Sequence, residues 1–294
     1  MRLAFIDGHP YPPEEARVSV YDRGFLYGDS VFETIRTYGG QPFALKAHLV
    51  RLAASAEKMA MSLPVAEAAL AAEVVAALDA AGNEESYVRV MISRGSGPLG
   101  LDPSGADRPR RVILVEPLRP PPERVYREGI DTICVATVRA SDGADHAKLG
   151  NYLASLLALK RAKDRGADEA LIVDRRGRVV EGGTFNVFMV RAGRVLTPPD
   201  DAGILLGVTR GEVIAAATRM GLTVEYVALP PAEMIACDEV FVTSSIREVV
   251  PIRTIDGAPV AGRNHSGPNF AITRALHRAF RERVGASDLP PGAG

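Results

Sequence analysis

One lysine stands at an unusual position in the stretch HAKLGNYLASLLALKRAKDRG, residues 146–166. Apolar residues recur at helical spacing from Asn151 to Arg165, yet Lys148 precedes this helix in a turn that contains glycine. A lysine amine forms Schiff bases with carbonyl compounds when burial or neighbouring groups lower its pKa. The same residue also fits a solvated cation, one of the 35 Lys and Arg residues of the chain. Other segments must decide between these two interpretations.

Three further segments carry groups that suit a phosphorylated ligand with a basic ring nitrogen. In LLGVTRGE, Gly207 precedes a predicted helix, so the N–H groups of Val208 and Thr209 would face an anion, with the Thr209 hydroxyl as N-cap. TSSIRE, which starts at Thr243, is a second hydroxyl-rich turn after a strand. Glu181 in VVEGGTFNVF stands at a strand end, where a carboxylate can keep a pyridine nitrogen protonated. Each segment alone also fits an ordinary cap or turn.

Several other chemistries lack their usual sequence signals. The five histidines have no metal-ligand spacing, and Cys134 and Cys237 lie in apolar strand-like segments, so no metal site is predicted. The loop RGSGPLG does not match a P-loop, and G-x-S-x-G and H-E-x-x-H are absent. The net charge of -1, with no long basic run, argues against nucleic acid as a partner. Without an apolar run of signal-peptide or membrane-span length, we expect a cytoplasmic protein with no membrane partner.

The hydrophobic pattern predicts mixed α and β structure in the first half of the chain. Strands are predicted at RLAFIDG, ARVSVYD, SYVRVMIS and RRVILVEP, and SVFETIRTYGGQPF is predicted to form a hairpin that turns at Gly39 and Gly40. Two helices are expected at about Leu45 to Ala60 and Val65 to Ala81.

The second half is predicted to contain strands, two consecutive hairpins and three longer helices. The hairpins turn at Arg176-Gly177 and Ala192-Gly193, and the last helix runs from about Pro268 to Val284. The fold class is therefore α+β with two domains: a smaller N-terminal α/β domain at 1–116, a proline-rich linker at 117–125, a larger C-terminal mixed α/β domain at 126–286 that carries Lys148, and a disordered tail at 287–294.

The order of these motifs resembles the class IV, fold type IV, pyridoxal-phosphate aminotransferases. This family includes branched-chain amino-acid aminotransferases, D-amino-acid aminotransferases and aminodeoxychorismate lyases. The segments that carry the resemblance are DRGFLYGDSVFETIR, HLVRL, KLGNYLASLLA, ADEALIVDRRGRVVEGGTFNVF, GVTR and DEVFVTSSIREVVPI, spread from about Val18 to Asp256. The resemblance implies a fold type IV enzyme with pyridoxal 5'-phosphate as cofactor, a small-molecule amino acid and a 2-oxo acid as ligands, and a homodimer.

The resemblance also assigns roles to individual residues. Lys148, in the K-x-x-N-Y motif, matches the lysine that forms the internal aldimine with the cofactor. Tyr152 matches the tyrosine that hydrogen-bonds the phenolic oxygen of the cofactor, and Glu181 matches the glutamate that holds its pyridine nitrogen protonated. The other implied cofactor-binding residues are Leu205 against the ring, Arg51, Val208, Thr209 and Ser245 at the phosphate, and Ile246 as a further contact.

The substrate-side residues favour the branched-chain members of the family. Tyr27, Phe32, Tyr87 and Arg89 resemble a pocket in which aromatic rings accept an aliphatic side chain and the arginine pairs with the distal carboxylate of glutamate. Ser244 is a further implied substrate residue. We therefore predict amino-group transfer between an L-branched-chain amino acid and 2-oxoglutarate by a ping-pong mechanism.

Three alternatives stay open. One is D-amino-acid or (R)-amine transamination, although SRGSGPLGLDP lacks the Arg and His that grip the substrate carboxylate in D-amino-acid members. Another is aminodeoxychorismate lyase activity, although Pro98 and Leu99 stand where a second arginine usually falls. The third is a non-catalytic binding protein with the same fold. Thr34 replaces the usual glycine of F-E-G-I-R and adds volume at the predicted pocket wall, which could shift the substrate range.

Overall fold

The computed structural model describes residues 1–136, 146–261, 263–264, 267–268 and 270–286. The chain divides into two compact units. The first unit contains Met1–Arg119 and His146–Tyr152, and the second contains Pro120–Asp145 and Leu153–Gly294. The segment with Lys148 therefore groups with the first unit, whereas the sequence boundaries put it in the C-terminal domain. Those boundaries stay a prediction, and the predicted tail at 287–294 lies outside the described residues.

The first unit is built on a six-stranded sheet with the order β2-β1-β6-β5-β3-β4. All its pairings are antiparallel. The strands are β1 (Leu3–Ile6), β2 (His9–Tyr11), β3 (Ser30–Tyr38), β4 (Gln41–Pro42), β5 (Ser86–Ser93) and β6 (Arg110–Pro117). The helices are α1 (Arg23–Tyr27), α2 (Leu45–Lys58) and α3 (Glu67–Ala81).

Side-chain alternation gives this sheet two different faces. On β3, Val31 and Ile35 are fully buried in a core that includes Leu49 and Leu52 of α2 and Leu70 of α3. Residues of even number on β3 and odd number on β5 point to the opposite face, because successive strand residues alternate. One face of the sheet is therefore packed with apolar side chains, and the other carries polar and aromatic groups.

The segment with Lys148 extends this sheet at the edge of β3. Leu149 forms an antiparallel bridge with Val31, and the Gly150 N–H donates to the Ser30 carbonyl oxygen at 2.7 Å. A Cβ atom on Gly150 would overlap Ser30 Oγ, so only glycine permits this close approach. The edge of the sheet fixes the backbone of the segment beside β3.

The second unit is built on a nine-stranded mixed sheet with the order β12-β11-β10-β13-β14-β7-β8-β9, in which β15 pairs with β14. Its strands are β7 (Ile130–Ala136), β8 (Glu169–Val173), β9 (Val179–Gly182), β10 (Asn186–Arg191), β11 (Arg194–Thr197), β12 (Val224–Tyr226), β13 (Glu239–Ser244), β14 (Glu248–Ile255) and β15 (Ala258–Pro259). A separate pair consists of β16 (Arg263–Asn264) and β17 (Gly267–Pro268). The helices are α4 (Glu123–Glu128), α5 (Leu153–Asp164), α6 (Val208–Arg219), α7 (Pro231–Ala236) and α8 (Ala271–Arg283).

Both faces of the larger sheet are covered. On one face, Val187, Met189, Val240 and Val242 pack with Met234 of α7. On the other face, Phe188 and Phe241 of the same strands pack with Val213 of α6 and Leu276 of α8. Ala158 of α5 packs with residues of the neighbouring strands, among them Ile133 of β7 and Ile172 of β8. Strands β10 and β13 accordingly read as nearly continuous apolar runs.

The structure confirms most predicted elements, and two predictions are wrong. ARVSVYD, residues 16–22, contains no strand, since the partner of β1 in the first hairpin is β2 at His9–Tyr11. Thr209 is not an N-cap: α6 begins at Val208 with Gly207 as N-cap, and Thr209 is a buried residue of the first turn. Within the described residues, no helix is both long and apolar enough to cross a membrane.

Candidate active site

Lys148 does not resemble an ordinary surface lysine. Its side chain is half-buried, and its Nζ atom lies 3.2 Å from the Tyr152 hydroxyl oxygen and 4.7 Å from the centre of the Phe32 ring. Its backbone is held as well: the Lys148 N–H donates to Ser55 Oγ at 3.1 Å, and its carbonyl oxygen accepts from the Phe32 N–H at 3.1 Å. The fold thus brings one amine to a fixed position between two aromatic rings.

The polar face of the first sheet places an arginine against the ring of Phe32. The guanidinium carbon of Arg89 lies 3.9 Å from the Phe32 ring centre, and Phe32 meets Tyr152 edge to face at 5.1 Å. Arg89 Nε is buried and has no hydrogen-bond partner among the described residues. Tyr87 lies two residues earlier on β5, on the same face. A stacked, desolvated arginine of this kind is suited to pairing with a carboxylate.

Arg51 lies on α2 in a buried charged cluster with Glu33 and His48, two residues of the quoted motifs to which the sequence assigned no role. Its Nε and Nη2 atoms donate to the two carboxylate oxygens of Glu33, each at 2.7 Å, and His48 Nδ1 lies 2.7 Å from Glu33 Oε2. Burial acts to raise the pKa of Glu33, but Arg51 outweighs it and lowers that pKa to about 2. Burial, reinforced by Arg51 and Lys148, lowers the pKa of His48. The cluster therefore holds an ionised glutamate and a neutral histidine at neutral pH.

Tyr27 is more exposed than the other predicted substrate residues. It is 37% exposed, its ring lies 4.9 Å from the Arg23 guanidinium carbon, and its hydroxyl oxygen accepts from the Gly100 N–H at 3.0 Å. Arg23 also donates to the carbonyl oxygens of three consecutive residues, 100–102. Asp29 fixes Arg23 in turn, since its Oδ2 accepts from Arg23 Nε at 2.9 Å. Tyr27 and Arg23 together tether the loop after β5.

In the second unit, Glu181 is held by the backbone of Leu205. The Leu205 N–H donates to Glu181 Oε2 at 2.9 Å, and the Leu205 carbonyl oxygen accepts from Asn186 Nδ2 at 2.7 Å. Asn186 is 5% exposed, and it lies in the same motif as Glu181, although the sequence assigned it no role. A backbone N–H therefore orients the carboxylate of Glu181, which was predicted to face a ring nitrogen. The N–H and the carbonyl oxygen of Leu205 are both hydrogen-bonded, which fixes its loop.

The predicted phosphate-binding turn is the amino end of α6. No side chain among the described residues caps this helix, so the first-turn N–H groups of Val208 and Thr209 have no side-chain acceptor. A Cβ atom on the N-cap residue, Gly207, would overlap Asn186 Oδ1. Backbone N–H groups at a helix amino end are suited to binding an anion, so the predicted phosphate role of this turn stays a prediction.

The turn between β13 and β14 carries Ser244, Ser245 and Ile246, all half-buried. Its geometry depends on the next residue, Arg247, whose N–H donates to Ser244 Oγ at 3.2 Å. The Arg247 side chain bonds Thr184 Oγ1 at 3.0 Å and forms an ion pair with Glu169. This turn is thus tied to β8 and to the loop after β9.

The predicted site residues therefore fall into two sets. The first unit brings together Lys148, Tyr152, Phe32 and Arg89, and it holds Arg51 in the cluster of Glu33. It also contains Tyr27 and Tyr87. The second unit holds Glu181, Leu205, Val208, Thr209, Ser244, Ser245 and Ile246. Their chemistry fits pyridoxal phosphate, because the described residues offer an amine beside a phenol, a guanidinium, a carboxylate that accepts a backbone N–H, and an uncapped helix amino end.

Most of the chain matches the sequence profile of a known protein family. The profile of the amino-transferase class IV family matches residues 30–255. The chain belongs to this family and is an aminotransferase.

Individual relatives cover nearly the whole chain. A protein of Methanocaldococcus jannaschii, whose name assigns it provisionally to the branched-chain-amino-acid aminotransferases, is 35% identical over 280 residues, which are 95% of each chain. The D-alanine aminotransferase of Bacillus licheniformis is 30% identical over 284 residues, 97% of each chain. Relatives of two substrate classes therefore resemble this chain.

Solved structures give the same fold. The branched-chain amino acid aminotransferase of Escherichia coli has a TM-score of 0.90 at 27% identity, covering 99% of this chain and 97% of its own. The branched-chain aminotransferase of Thermoproteus uzoniensis, solved with norvaline, has a TM-score of 0.87 at 30% identity, covering 97% and 95%. Structures of another branched-chain enzyme, also 30% identical, contain pyridoxamine 5'-phosphate and N-(5'-phosphopyridoxyl)-L-glutamate. The chain accordingly has the α+β, fold type IV architecture that the sequence predicted.

Proposed function

We propose that this aminotransferase moves an amino group between an L-branched-chain amino acid and 2-oxoglutarate in a ping-pong reaction. The observation that carries the proposal is the arrangement of Lys148, Phe32 and Arg89, with the amine 4.7 Å and the guanidinium carbon 3.9 Å from the centre of one aromatic ring. An apolar side chain finds aromatic surface there, and a distal carboxylate finds a cation with an unused N–H. Both substrates of the proposed cycle are thereby accommodated.

The proposed cofactor is pyridoxal 5'-phosphate, held by residues of this chain in distinct roles. Arg51, the N–H groups of Val208 and Thr209, and Ser245 bind its phosphate, with Ile246 as a further cofactor contact. Leu205 lies against the ring, and Tyr152 donates to its phenolic oxygen. Glu181 keeps the pyridine nitrogen protonated. When bound, the cofactor supplies an electron sink for the charge that develops at the substrate Cα.

Lys148 is the proposed acid and base. Its Nζ atom would take the proton from the substrate Cα and deliver it to C4′ of the cofactor, the carbon on the other side of the transferred nitrogen. The Tyr152 hydroxyl, 3.2 Å from Nζ, limits where the amine can point. The ring of Phe32, whose centre lies 4.7 Å from Nζ, covers one side of this amine.

Tyr27, Phe32, Tyr87 and Arg89 are the proposed substrate-binding residues, with Ser244 as a further contact. Arg89 pairs with the distal carboxylate of 2-oxoglutarate or glutamate, and it stays stacked on Phe32 when an aliphatic side chain is bound instead. The Arg89→Gln substitution tests this assignment. We expect KM for 2-oxoglutarate to rise by about tenfold or more, because a charge-assisted pair is lost. The half-reaction with L-leucine should be largely retained.

The experiment that decides the function is a set of separate half-reactions of the pyridoxal-phosphate-loaded enzyme, followed by the visible absorption of the bound cofactor. L-leucine, D-alanine and an (R)-amine are added one at a time. The proposal is supported if L-leucine, and neither D-alanine nor the (R)-amine, changes the absorption of the bound cofactor. Faster conversion by D-alanine would move the substrate class to that of the Bacillus licheniformis relative. Absence of cofactor binding would overturn the catalytic assignment.

We also propose a homodimer. Exposed leucines on α5 support this proposal, since Leu153 and Leu156 are 62% and 59% exposed in the single chain, and apolar helix faces of this kind are usually covered by a partner. Sedimentation equilibrium tests it: a particle of two chains is expected, and a monomer at micromolar concentration would contradict it. The cytoplasmic location stays a prediction.

A further inference from the structure

Glu33 is a charged residue in the core of the first unit. It lies on β3 between Val31 and Ile35, on the face of the sheet that packs against α2, and its side chain is 0% exposed. An ionised carboxylate is costly to bury unless cations or N–H groups satisfy it. A strand position of this kind would normally hold another aliphatic residue, so the charge calls for an explanation.

Two residues of α2 satisfy both oxygens of this carboxylate. Arg51 Nε donates to Oε1 and Arg51 Nη2 donates to Oε2, each at 2.7 Å, while His48 Nδ1 lies 2.7 Å from Oε2. His48 and Arg51 are three residues apart and share one helix face. Ser55, one turn further along α2, accepts from the backbone N–H of Lys148. The same helix face therefore carries Arg51 and supports the lysine segment.

We propose that Glu33 is a positioning residue that fixes the guanidinium of Arg51 for the phosphate group of the cofactor, and that His48 fixes Glu33 in turn. This inference rests on the proposed cofactor role of Arg51. Glu33 engages the edge of the guanidinium formed by Nε and Nη2. Because the guanidinium is planar, fixing this edge also fixes the direction of the N–H groups of Nη1.

Fixing Arg51 before the cofactor arrives removes rotamer freedom that would otherwise be lost on binding. A second explanation predicts the opposite effect. If Glu33 only neutralised Arg51, then removing the carboxylate charge would strengthen the attraction for phosphate. In the Glu33→Gln variant, one amide oxygen replaces two carboxylate oxygens, and the amide NH₂ faces N–H donors of Arg51 or His48. The positioning role therefore predicts weaker phosphate binding, because the guanidinium moves.

The test compares pyridoxal 5'-phosphate with 5'-deoxypyridoxal, which lacks the phosphate. Dissociation constants are measured by absorption titration for the wild type, Glu33→Gln and a matched control, Glu73→Gln. Glu73 also forms a bidentate pair in the same unit, with Arg111 at 2.8 Å, but it has no proposed role at the site. We expect Glu33→Gln to weaken pyridoxal 5'-phosphate binding by about tenfold or more, and to leave 5'-deoxypyridoxal binding unchanged. Glu73→Gln should change neither constant.

A second variant keeps the proposal testable if Glu33→Gln does not fold. Glu33→Asp keeps the charge that compensates Arg51 but withdraws the carboxylate by one methylene group, so we expect a smaller loss with the same selectivity for the phosphate. An equal loss with both ligands, no loss, or tighter phosphate binding would overturn the positioning role. Failure of the wild type to bind pyridoxal 5'-phosphate would instead overturn the proposed function, and the role of Glu33 with it.

Discussion

Asn186 Nδ2 donates to the Leu205 carbonyl oxygen at 2.7 Å. The N–H of Leu205 donates to Glu181 Oε2 at 2.9 Å, so both polar atoms of one loop residue are used to hold it. Asn186 lies at the start of β10 and is buried, which anchors the loop to the larger sheet. The position of the Glu181 carboxylate consequently depends on a residue that would not itself touch the cofactor.

The Asn186→Ala substitution should loosen this arrangement. It leaves the Leu205 carbonyl oxygen without its donor, so we expect a loss of about 1–3 kcal/mol in the free energy of unfolding, measured with urea. The affinity for pyridoxal 5'-phosphate should also fall, because the Leu205 loop, whose N–H orients Glu181, loses one of its two anchors. Asn83→Ala is the control, since the Asn83 amide makes only exposed or partly buried hydrogen bonds. Equal effects of the two substitutions would contradict the prediction.

Two glycines at the start of α6 should respond in opposite directions to alanine. A Cβ atom on Gly207 would overlap Asn186 Oδ1, whereas a Cβ atom on Gly211 would meet nothing within 4 Å. Gly207→Ala should therefore destabilise the fold by about 1–3 kcal/mol. Gly211→Ala should stabilise it by roughly 0.5–1 kcal/mol, because alanine favours a helix interior. Thermal unfolding of the two variants measures the difference, and a shift of the same sign in both would refute the steric explanation.

Lys148→Ala should abolish transamination and leave the fold intact. The substitution removes the only atom of the side chain that can bond to the cofactor, while the backbone contacts of the segment to β3 and Ser55 remain. Turnover and circular dichroism spectra are measured together. Lys160→Ala is the control, because Lys160 is an exposed residue of α5 paired with Asp164 at 2.7 Å. Near-normal turnover of Lys148→Ala would rule out its catalytic role.

The buried cluster of Glu33 should make the protein sensitive to acid. The pKa of Glu33 is about 2 in the folded protein against 4.5 for the ordinary group, so the folded state binds the proton less readily. Stability from this residue is complete above pH 4.5 and is lost as the pH falls towards 2, by on the order of 3 kcal/mol in total.

The neutral His48 also makes the folded protein less stable as the pH falls. Because its pKa in the folded protein is lowered from 6.5, the unfolded state takes up the proton first, and stability from this residue falls as the pH drops below 6.5. Urea unfolding at pH 7, 5 and 3 should show a steeper loss for the wild type than for Glu33→Gln. Parallel curves for the two proteins would contradict this account.

Much of the fold could be predicted because regular periodicity survives in the sequence. SYVRVMIS alternates buried and half-buried residues along β5, and the two glycines after Tyr38 end a hairpin strand as predicted. ARVSVYD shows a similar alternation but forms no strand, since alternation describes one chain segment and cannot show whether a partner strand is available. Thr209 is not the N-cap because α6 begins one residue earlier, at Val208. The N-cap is Gly207, and the neighbour that a Cβ atom there would overlap, Asn186, is brought to it only by the folded chain.

The residues that support the candidate site are less evident in the sequence than those predicted to contact the cofactor. The family motifs assign roles to Lys148 and Arg51, whereas Glu33, His48 and Asn186 lie in the same set of motifs without an assigned role, because they act through other residues. One signal for Glu33 was present: a carboxylate occupies the buried phase of β3, between Val31 and Ile35. A charge in the apolar phase of a strand indicates a buried partner, although the sequence does not say which cation supplies it.

The tether of the loop after β5 has a consequence for how this enzyme can diversify. Arg23 binds the loop through backbone carbonyl oxygens of residues 100–102, and Tyr27 binds it through the Gly100 N–H. Contacts to the backbone do not depend on which side chains the loop carries. Leu99 and Leu101, 70% and 82% exposed, can therefore be exchanged without releasing the anchor. Variation confined to the side chains of this loop would therefore leave its attachment to Arg23 and Tyr27 unchanged.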